Sequence, residues 1–129
     1  MNDPISDMII RMKNATAVGK KVVAFPYSEL KFSIATILER EGYVKNVVKK
    51  GKKVGKAIEL ELVYDNNKPK LKDVKRISKF SRRVYLKVKD IKPVKNGYGR
   101  LILSTPSGLL TDKEAKEKKV GGEALFKIW

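Results

Sequence analysis

The sequence predicts a mixed α+β chain arranged as two small domains. Three observations carry that prediction. Ile5, Met8, Ile9 and Met12 recur at the spacing of one helical face. Ile58, Leu60 and Leu62 alternate with Glu59 and Glu61, the period of a half-buried strand. Between the two halves, Asp65, Asn66, Asn67, Lys68 and Pro69 form a cluster of turn residues that interrupts both patterns. That cluster places an N-terminal α/β domain at residues 1–66 and a C-terminal, mostly β domain with short helices at residues 67–129. A length of 129 residues and a hydrophobic content of 42% suffice for modest packed cores and exclude a wholly disordered basic tail.

Each element follows from local chemistry. Asp3 can cap the exposed N–H groups of a first helix, and Pro4 suits its first position. Residues 14–19 end that helix. Val22, Val23, Ala24 and Phe25, closed by Pro26, read as a strand. Ser28 then caps a second helix, with Glu29 in its first turn and Lys31 on its polar face. Leu30, Ile34, Ile37 and Leu38 form its apolar stripe, and Gly42 stops it. Residues 43–50 and 57–64 follow as strands joined by a basic, Gly-containing hairpin loop at 51–56. The first unit is thus helix, strand, helix, strand, strand.

In the second unit, residues 70–77 and 83–88 read as strands around a turn at 78–81. Pro93 leaves room for one short helical turn within 90–96, and 101–103 is a short apolar strand. Thr111, with Glu114 three residues on, has the spacing of a capping box. The helix it starts runs through 115–119 until Gly121 and Gly122 break it, and residues 123–129 alternate as a last strand.

Charge narrows the function. Thirty Lys and Arg face 14 Asp and Glu, a net +16 with no His. Residues 68–100 alone hold 13 basic residues and two acids. These alternate with Leu71, Val74, Ile77, Phe80, Val84, Leu86 and Val88, so the charge belongs to a folded surface. Fixed cations on such a surface release counterions from a phosphate backbone, which drives salt-dependent binding to nucleic acid. Lys45, Lys49, Lys50, Lys52, Lys53 and Lys56 form a second cluster with no acid between them, whose plainer reading is a solvated loop. Cys is absent, so there is no disulfide framework and no thiol nucleophile. Without His, Cys or paired carboxylates, neither a catalytic site nor a metal site is expected, and no glycine pattern for a phosphate-bearing cofactor is present. No stretch approaches the ~20 apolar residues that span a bilayer, and the start of the chain has no signal-peptide pattern. A long amphipathic basic helix, the usual membrane-surface device, is also missing. The expectation is a cytoplasmic binder of a polyanion.

The residues that could read such a partner lie mainly beyond the basic stretch. Ser104, Thr105, Pro106, Ser107 and Gly108 put three hydroxyls on a tight loop after an apolar strand. Hydroxyls donate to and accept from bases, riboses and phosphates. The competing reading is a strand-to-helix turn whose hydroxyls satisfy their own backbone. Tyr85 follows Arg82 and Arg83, so an aromatic ring beside two guanidiniums could stack on an unpaired base, or could be an ordinary half-buried strand residue. Glu123 is unusual at an RNA surface unless it accepts from a base amino group or orients an Arg.

Over essentially its whole length the sequence resembles the bacterial form of the small-subunit ribosomal protein eight family (universal ribosomal protein family eight). Near the start the matching residues are Asp3 to Met8 with Arg11, Asn14 and Ala15. In the middle they are Pro26 to Lys31, Ile37, Leu38, Glu41, Gly42 and Tyr43, then Leu71 to Lys79, ending in Arg76 to Lys79, and Arg82 to Tyr85. The C-terminal matches are the most specific: Asn96, Gly97, Leu103, Ser104, Thr105, Gly108, Leu110 to Asp112, Glu114, Ala115 and Val120 to Glu123.

The resemblance implies a two-domain α+β protein, monomeric when free. It would bind an irregular helix in the central domain of small-subunit ribosomal RNA early in assembly, beside neighbouring small-subunit ribosomal proteins. Some bacterial members also bind a similar structure in their own messenger RNA and repress its translation. No cofactor is implied. By the same resemblance Ser104, Thr105, Ser107 and Gly108 form the reading loop, with Tyr85 and Glu123 beside it. Asn14 and Lys31 contact the sugar–phosphate backbone, while Arg82 and Arg83 join by charge and adjacency. The family loop usually reads Ser-Thr-Ser-x-Gly. Here Pro106 stands third, with no hydroxyl and no N–H, so either Ser107 takes over its role or one hydrogen bond is missing.

Overall fold

The computed structural model describes residues 3–51 and 55–129. Lys52 and Lys53, in the expected basic loop, lie outside the described residues. The chain divides into two compact units, Met1–Leu71 and Lys72–Trp129.

The first unit begins with α1, Pro4–Ala17. Asp3 caps it, its carboxylate accepting from the Ser6 N–H at 3.2 Å. The helix runs one turn past the expected end, so Asn14 sits on helix, not in a terminal loop. The buried face is Ile5, Met8, Ile9, Met12 and Ala15. Strand β1, Val22–Pro26, buries Val23 and Phe25 in alternation. It is an edge strand, which is why Pro26 is tolerated without breaking a ladder bond.

Helix α2, Glu29–Arg40, starts at Ser28, whose hydroxyl accepts from the Lys31 N–H at 3.1 Å. Its inward stripe is Lys31, Ile34, Ala35 and Leu38, joined by Ile37. This stripe is rotated from the expected one: Leu30 is exposed and Lys31 is buried. Positions 31, 34, 35 and 38 follow helical periodicity as well as the all-apolar set does. A charged first member is tolerated because Asp7 meets it.

Strands β2, Val44–Lys50, and β3, Ala57–Leu62, form the hairpin, giving a sheet of order β1-β3-β2. The final expected strand ends early. Tyr64–Asp65 is a separate short strand, β4, paired with β5, Lys68–Pro69. The intervening Asn66 and Asn67 both have positive φ, the geometry of a two-residue hairpin turn that asparagine accepts. The turn cluster is thus the tip of a hairpin within the first unit.

The second unit is built on β10, Gly122–Ile128, which pairs antiparallel with three strands. These are β6 (Val74–Arg76), β7 (Tyr85–Leu86) and β8 (Arg100–Thr105); β8 pairs in turn with β9, Gly108–Thr111. Two single-turn 3-10 helices, Val88–Asp90 and Lys95–Gly97, occupy the region around Pro93. Helix α3, Asp112–Lys118, carries the expected capping box: Thr111 Oγ1 accepts from the Glu114 N–H, and Glu114 accepts from the Thr111 N–H. Leu101, Leu103, Leu110, Ala115 and Ala124 form the core with Ile91 and Val94.

Three expectations change here. The strands over 70–77 and 83–88 shrink to three and two residues. Strand β9 replaces the expected strand-to-helix turn, so the hydroxyl loop is a hairpin. Helix α3 ends at Lys118, and its C-cap Lys119 adopts a left-handed conformation (φ 56°) two residues before the glycine pair. The glycines have a different role. A Cβ on Gly122 would lie 2.2 Å from the Ser104 carbonyl oxygen, and one on Gly121 would lie 2.3 Å from that of Leu86. They let β10 run close between β7 and β8.

Candidate nucleic-acid interface

The second unit brings its expected site residues into one place through strand register. Glu123 on β10 is opposite Ser104 on β8 and opposite Tyr85 on β7. Cross-strand partners share a face, so Tyr85, Glu123 and Ser104 form a row across three strands. The next residues along, Ala124 and Leu103, point into the core. Sheet pleating therefore sends one row inward to hold the fold and the adjacent row outward. Tyr85 is 71% exposed, which decides between the two readings of it: its ring is a surface feature, not a core filler.

The hairpin joining β8 to β9 extends this row. Thr105 pairs with Gly108, and Pro106-Ser107 is the turn. Two-residue hairpins usually need positive φ inside the turn, which proline cannot adopt. Neither Pro106 nor Ser107 has it. Gly108 does, at φ 100°, and supplies the twist one residue later.

Thr105 secures the turn. Its Oγ1 donates to the Gly108 carbonyl at 2.8 Å and accepts from the Ser107 N–H at 3.1 Å. The backbone-satisfying reading of the loop therefore holds for Thr105. The hydroxyls of Ser104 and Ser107 are exposed and have no hydrogen-bond partner among the described residues.

Glu123 is an orienting carboxylate. Arg83 Nη1 donates to its two oxygens at 3.1 and 3.4 Å, forming an ion pair whose Glu123 side chain is only 13% exposed. Arg83 is half exposed, and Arg82 closes a tight turn by exchanging two backbone hydrogen bonds with Lys79.

In the first unit, Asn14 is exposed and lines a groove with Arg11, Val18, Lys20 and Val23. Lys31 is placed differently from the expectation. Its ammonium donates to Asp7 at 3.2 Å and its side chain is 9% exposed. Arg11 donates to the other oxygen of the same carboxylate. Partial burial pushes the Asp7 carboxyl up, but the hydrogen bonds and charges of Arg11 and Lys31 outweigh it and hold the group below the ordinary aspartate range.

Sequence reasoning missed that Phe80 lies against Arg83 and that Gly121 and Gly122 admit the neighbouring strands. Phe80 could have been noticed as an aromatic between Lys79 and the Arg82-Arg83 pair. The glycine pair reads in sequence as a helix breaker, since the approach of β8 is invisible there.

Among the described residues no cluster of acids could hold a metal ion, and no helix is long and apolar enough to cross a membrane. Hydroxyl, aromatic and guanidinium groups of this basic α+β chain gather on an exposed sheet rim, around an acid already paired with an Arg, which makes the rim a candidate binding surface. Comparison with known sequences gives the kind of protein. The chain matches the family described as "Ribosomal protein S8" over residues 3–129. It is 45% identical over 129 residues to the small ribosomal subunit protein uS8 of Mycoplasmopsis agalactiae. It is 44% identical to the proteins of that name from Vesicomyosocius okutanii and Corynebacterium glutamicum, over 129 and 130 residues. Each alignment covers 100% of this chain and 98% of the relative. The chain belongs to this family of small-subunit ribosomal proteins. It is a structural constituent of the cytoplasmic ribosome and not an enzyme.

Proposed function

We propose that the protein binds small-subunit ribosomal RNA directly, recognises an irregular helix in its central domain, and thereby nucleates subunit assembly. The observation that carries this reading is the row of Tyr85, Glu123 and Ser104 beside the 104–108 hairpin. A-form RNA hides its base edges in a deep groove, so a protein reads shape, 2′-hydroxyls and locally opened bases. The rim suits that task. Ser104 and Ser107 offer hydroxyls to a distorted minor groove, and the Tyr85 ring offers a face to an unstacked base. Arg83, steadied by Glu123, offers a guanidinium. Thr105 and Gly108 hold the hairpin that presents the serines.

The basic residues of the 68–100 stretch supply affinity, and Asn14 contacts the sugar–phosphate backbone. Lys31 contributes through Asp7, which it ties to α2, and not through a free ammonium. Binding fixes one RNA conformation on which neighbouring ribosomal proteins assemble, a population shift toward the bound form. A similar structure in the protein's own messenger RNA would occupy the same rim, and translation would be repressed when ribosomal RNA is scarce.

Footprinting on naked small-subunit ribosomal RNA tests the reading. One protected site in the central domain is the expected result, and protein-dependent protection that disappears on adding an excess of the messenger fragment supports the repression. Equal affinity for a regular duplex and for the irregular helix overturns specific recognition.

A further inference from the structure

Phe80 sits outside the packed core and outside the Tyr85–Glu123–Ser104 row. It sits on the four-residue turn closed by the two Lys79–Arg82 backbone hydrogen bonds, at 2.9 and 3.0 Å. Turns favour Gly, Asn, Asp, Ser or Pro, and a phenylalanine has no turn chemistry to offer. Phe80 is 45% exposed, so it adds little to the core either.

The ring does have a partner. The guanidinium carbon of Arg83 lies 5.2 Å from the Phe80 ring centroid, within cation–π range. The same guanidinium donates through Nη1 to Glu123. Arg83 thus meets the Phe80 ring and the Glu123 carboxylate at once, and Glu123 is the central member of the cross-strand row. Among the described residues its Nε and Nη2 have no hydrogen-bond partner. The base of this loop is itself clamped: Ser78, 1% exposed, accepts from the Val84 N–H at 2.8 Å and donates to the Val84 carbonyl at 3.3 Å.

We propose that Phe80 is a positioning residue for RNA recognition: it stacks under Arg83 and, with Glu123, fixes the guanidinium so that its remaining N–H donors face the RNA. A flexible arginine loses rotamer entropy when it binds, whereas one already held by a ring and a carboxylate has given up part of it in the free protein. A lone carboxylate in the middle of the row would repel phosphate, and the ring helps keep a compensating cation on it. The inference rests on the rim being the RNA-reading surface.

The test measures binding of the full-length protein to two transcribed RNAs, a central-domain fragment containing the irregular helix and a regular duplex of equal length. Phe80→Leu keeps an apolar side chain but removes the ring. It is expected to lower the preference for the irregular helix about two- to fivefold, the scale of an exposed cation–π interaction, with the unfolding midpoint unchanged. Phe80→Trp is expected to restore it. In an Arg83→Ala background, Phe80→Leu should cost nothing more, because a residue that acts through another has no effect once that other is gone.

Three results overturn the proposal: no effect of Phe80→Leu, failure of Phe80→Trp to rescue, or an undiminished effect of Phe80→Leu without Arg83. The last means that the ring touches RNA itself. Ser104→Ala and Tyr85→Ala on the same two RNAs separate this from failure of the wider reading. If they too leave the preference unchanged, the rim is not the reading surface.

Discussion

Replacing Ser104 and Thr105 separately by alanine should produce two different defects, although the residues are adjacent and both carry hydroxyls. Thr105 Oγ1 makes two hydrogen bonds that hold the 105–108 turn, at 2.8 and 3.1 Å. Each neutral bond of this kind contributes about 0.5–1.5 kcal/mol, with the lower part of that range applying because the turn is exposed. Thr105→Ala should therefore destabilise the second unit by about 1–2 kcal/mol. For a unit of this size each kcal/mol lowers the unfolding midpoint by about 4–8 °C. RNA preference would fall as a consequence, and Thr105→Ser, which keeps the hydroxyl, should recover most of both.

Ser104 has an exposed hydroxyl with no partner among the described residues, so Ser104→Ala should leave stability within about 0.5 kcal/mol of the parent, as for ordinary surface changes. It should still narrow the gap between the irregular helix and a regular duplex by about 1–2 kcal/mol, the cost of leaving an RNA group unpaired in a buried interface. Thermal unfolding and filter binding on the same preparations decide the matter. A Ser104→Ala protein that melts early, or a Thr105→Ala protein that melts normally and loses only specificity, would refute the division of labour.

Gly122→Ala should force β8 and β10 apart, because its Cβ would sit 2.2 Å from the Ser104 carbonyl. A drop of about 1–3 kcal/mol in stability is expected, read by denaturant midpoint, together with reduced RNA preference. Asp7→Asn should leave the Lys31 ammonium buried without its carboxylate. The cost is expected at about 1–2 kcal/mol, below that of a fully enclosed pair because the Asp7 side chain is 43% exposed. Since the folded-state pKa of Asp7 is lowered, its contribution is complete above the unfolded-state value and disappears as pH falls through the folded-state value. The difference between parent and Asp7→Asn midpoints should accordingly be full at about pH 6 and shrink below about pH 4. Changing Lys79 or Lys87 to Ala should weaken binding to every RNA and flatten the salt dependence by ~0.7–0.9 for each phosphate no longer neutralised. An unchanged slope would remove that lysine from the interface.

The local grammar of the chain was legible in the residues themselves. Asp3, Ser28 and Thr111 cap α1, α2 and α3 because short polar side chains meet the unsatisfied N–H groups where these helices begin. Alternation at Ile58, Leu60 and Leu62 marked β3 because pleating has a fixed period. The order of matching residues pointed to the ribosomal family before any geometry was known. Charge, too, belongs to the sequence: +16 means a polyanionic partner in any fold.

What local pattern could not supply was anything decided by partners distant in the chain. Lys31 is inside because Asp7, 24 positions away, neutralises it. Glu123 belongs to the rim because register sets it between Ser104 and Tyr85. Gly121 and Gly122 are required by the approach of neighbouring strands, and Thr105 serves the turn while Ser104 faces solvent. Composition and periodicity constrain what each segment does alone. Strand pairing and ion pairing depend on which segments meet, and only the tertiary structure decides that.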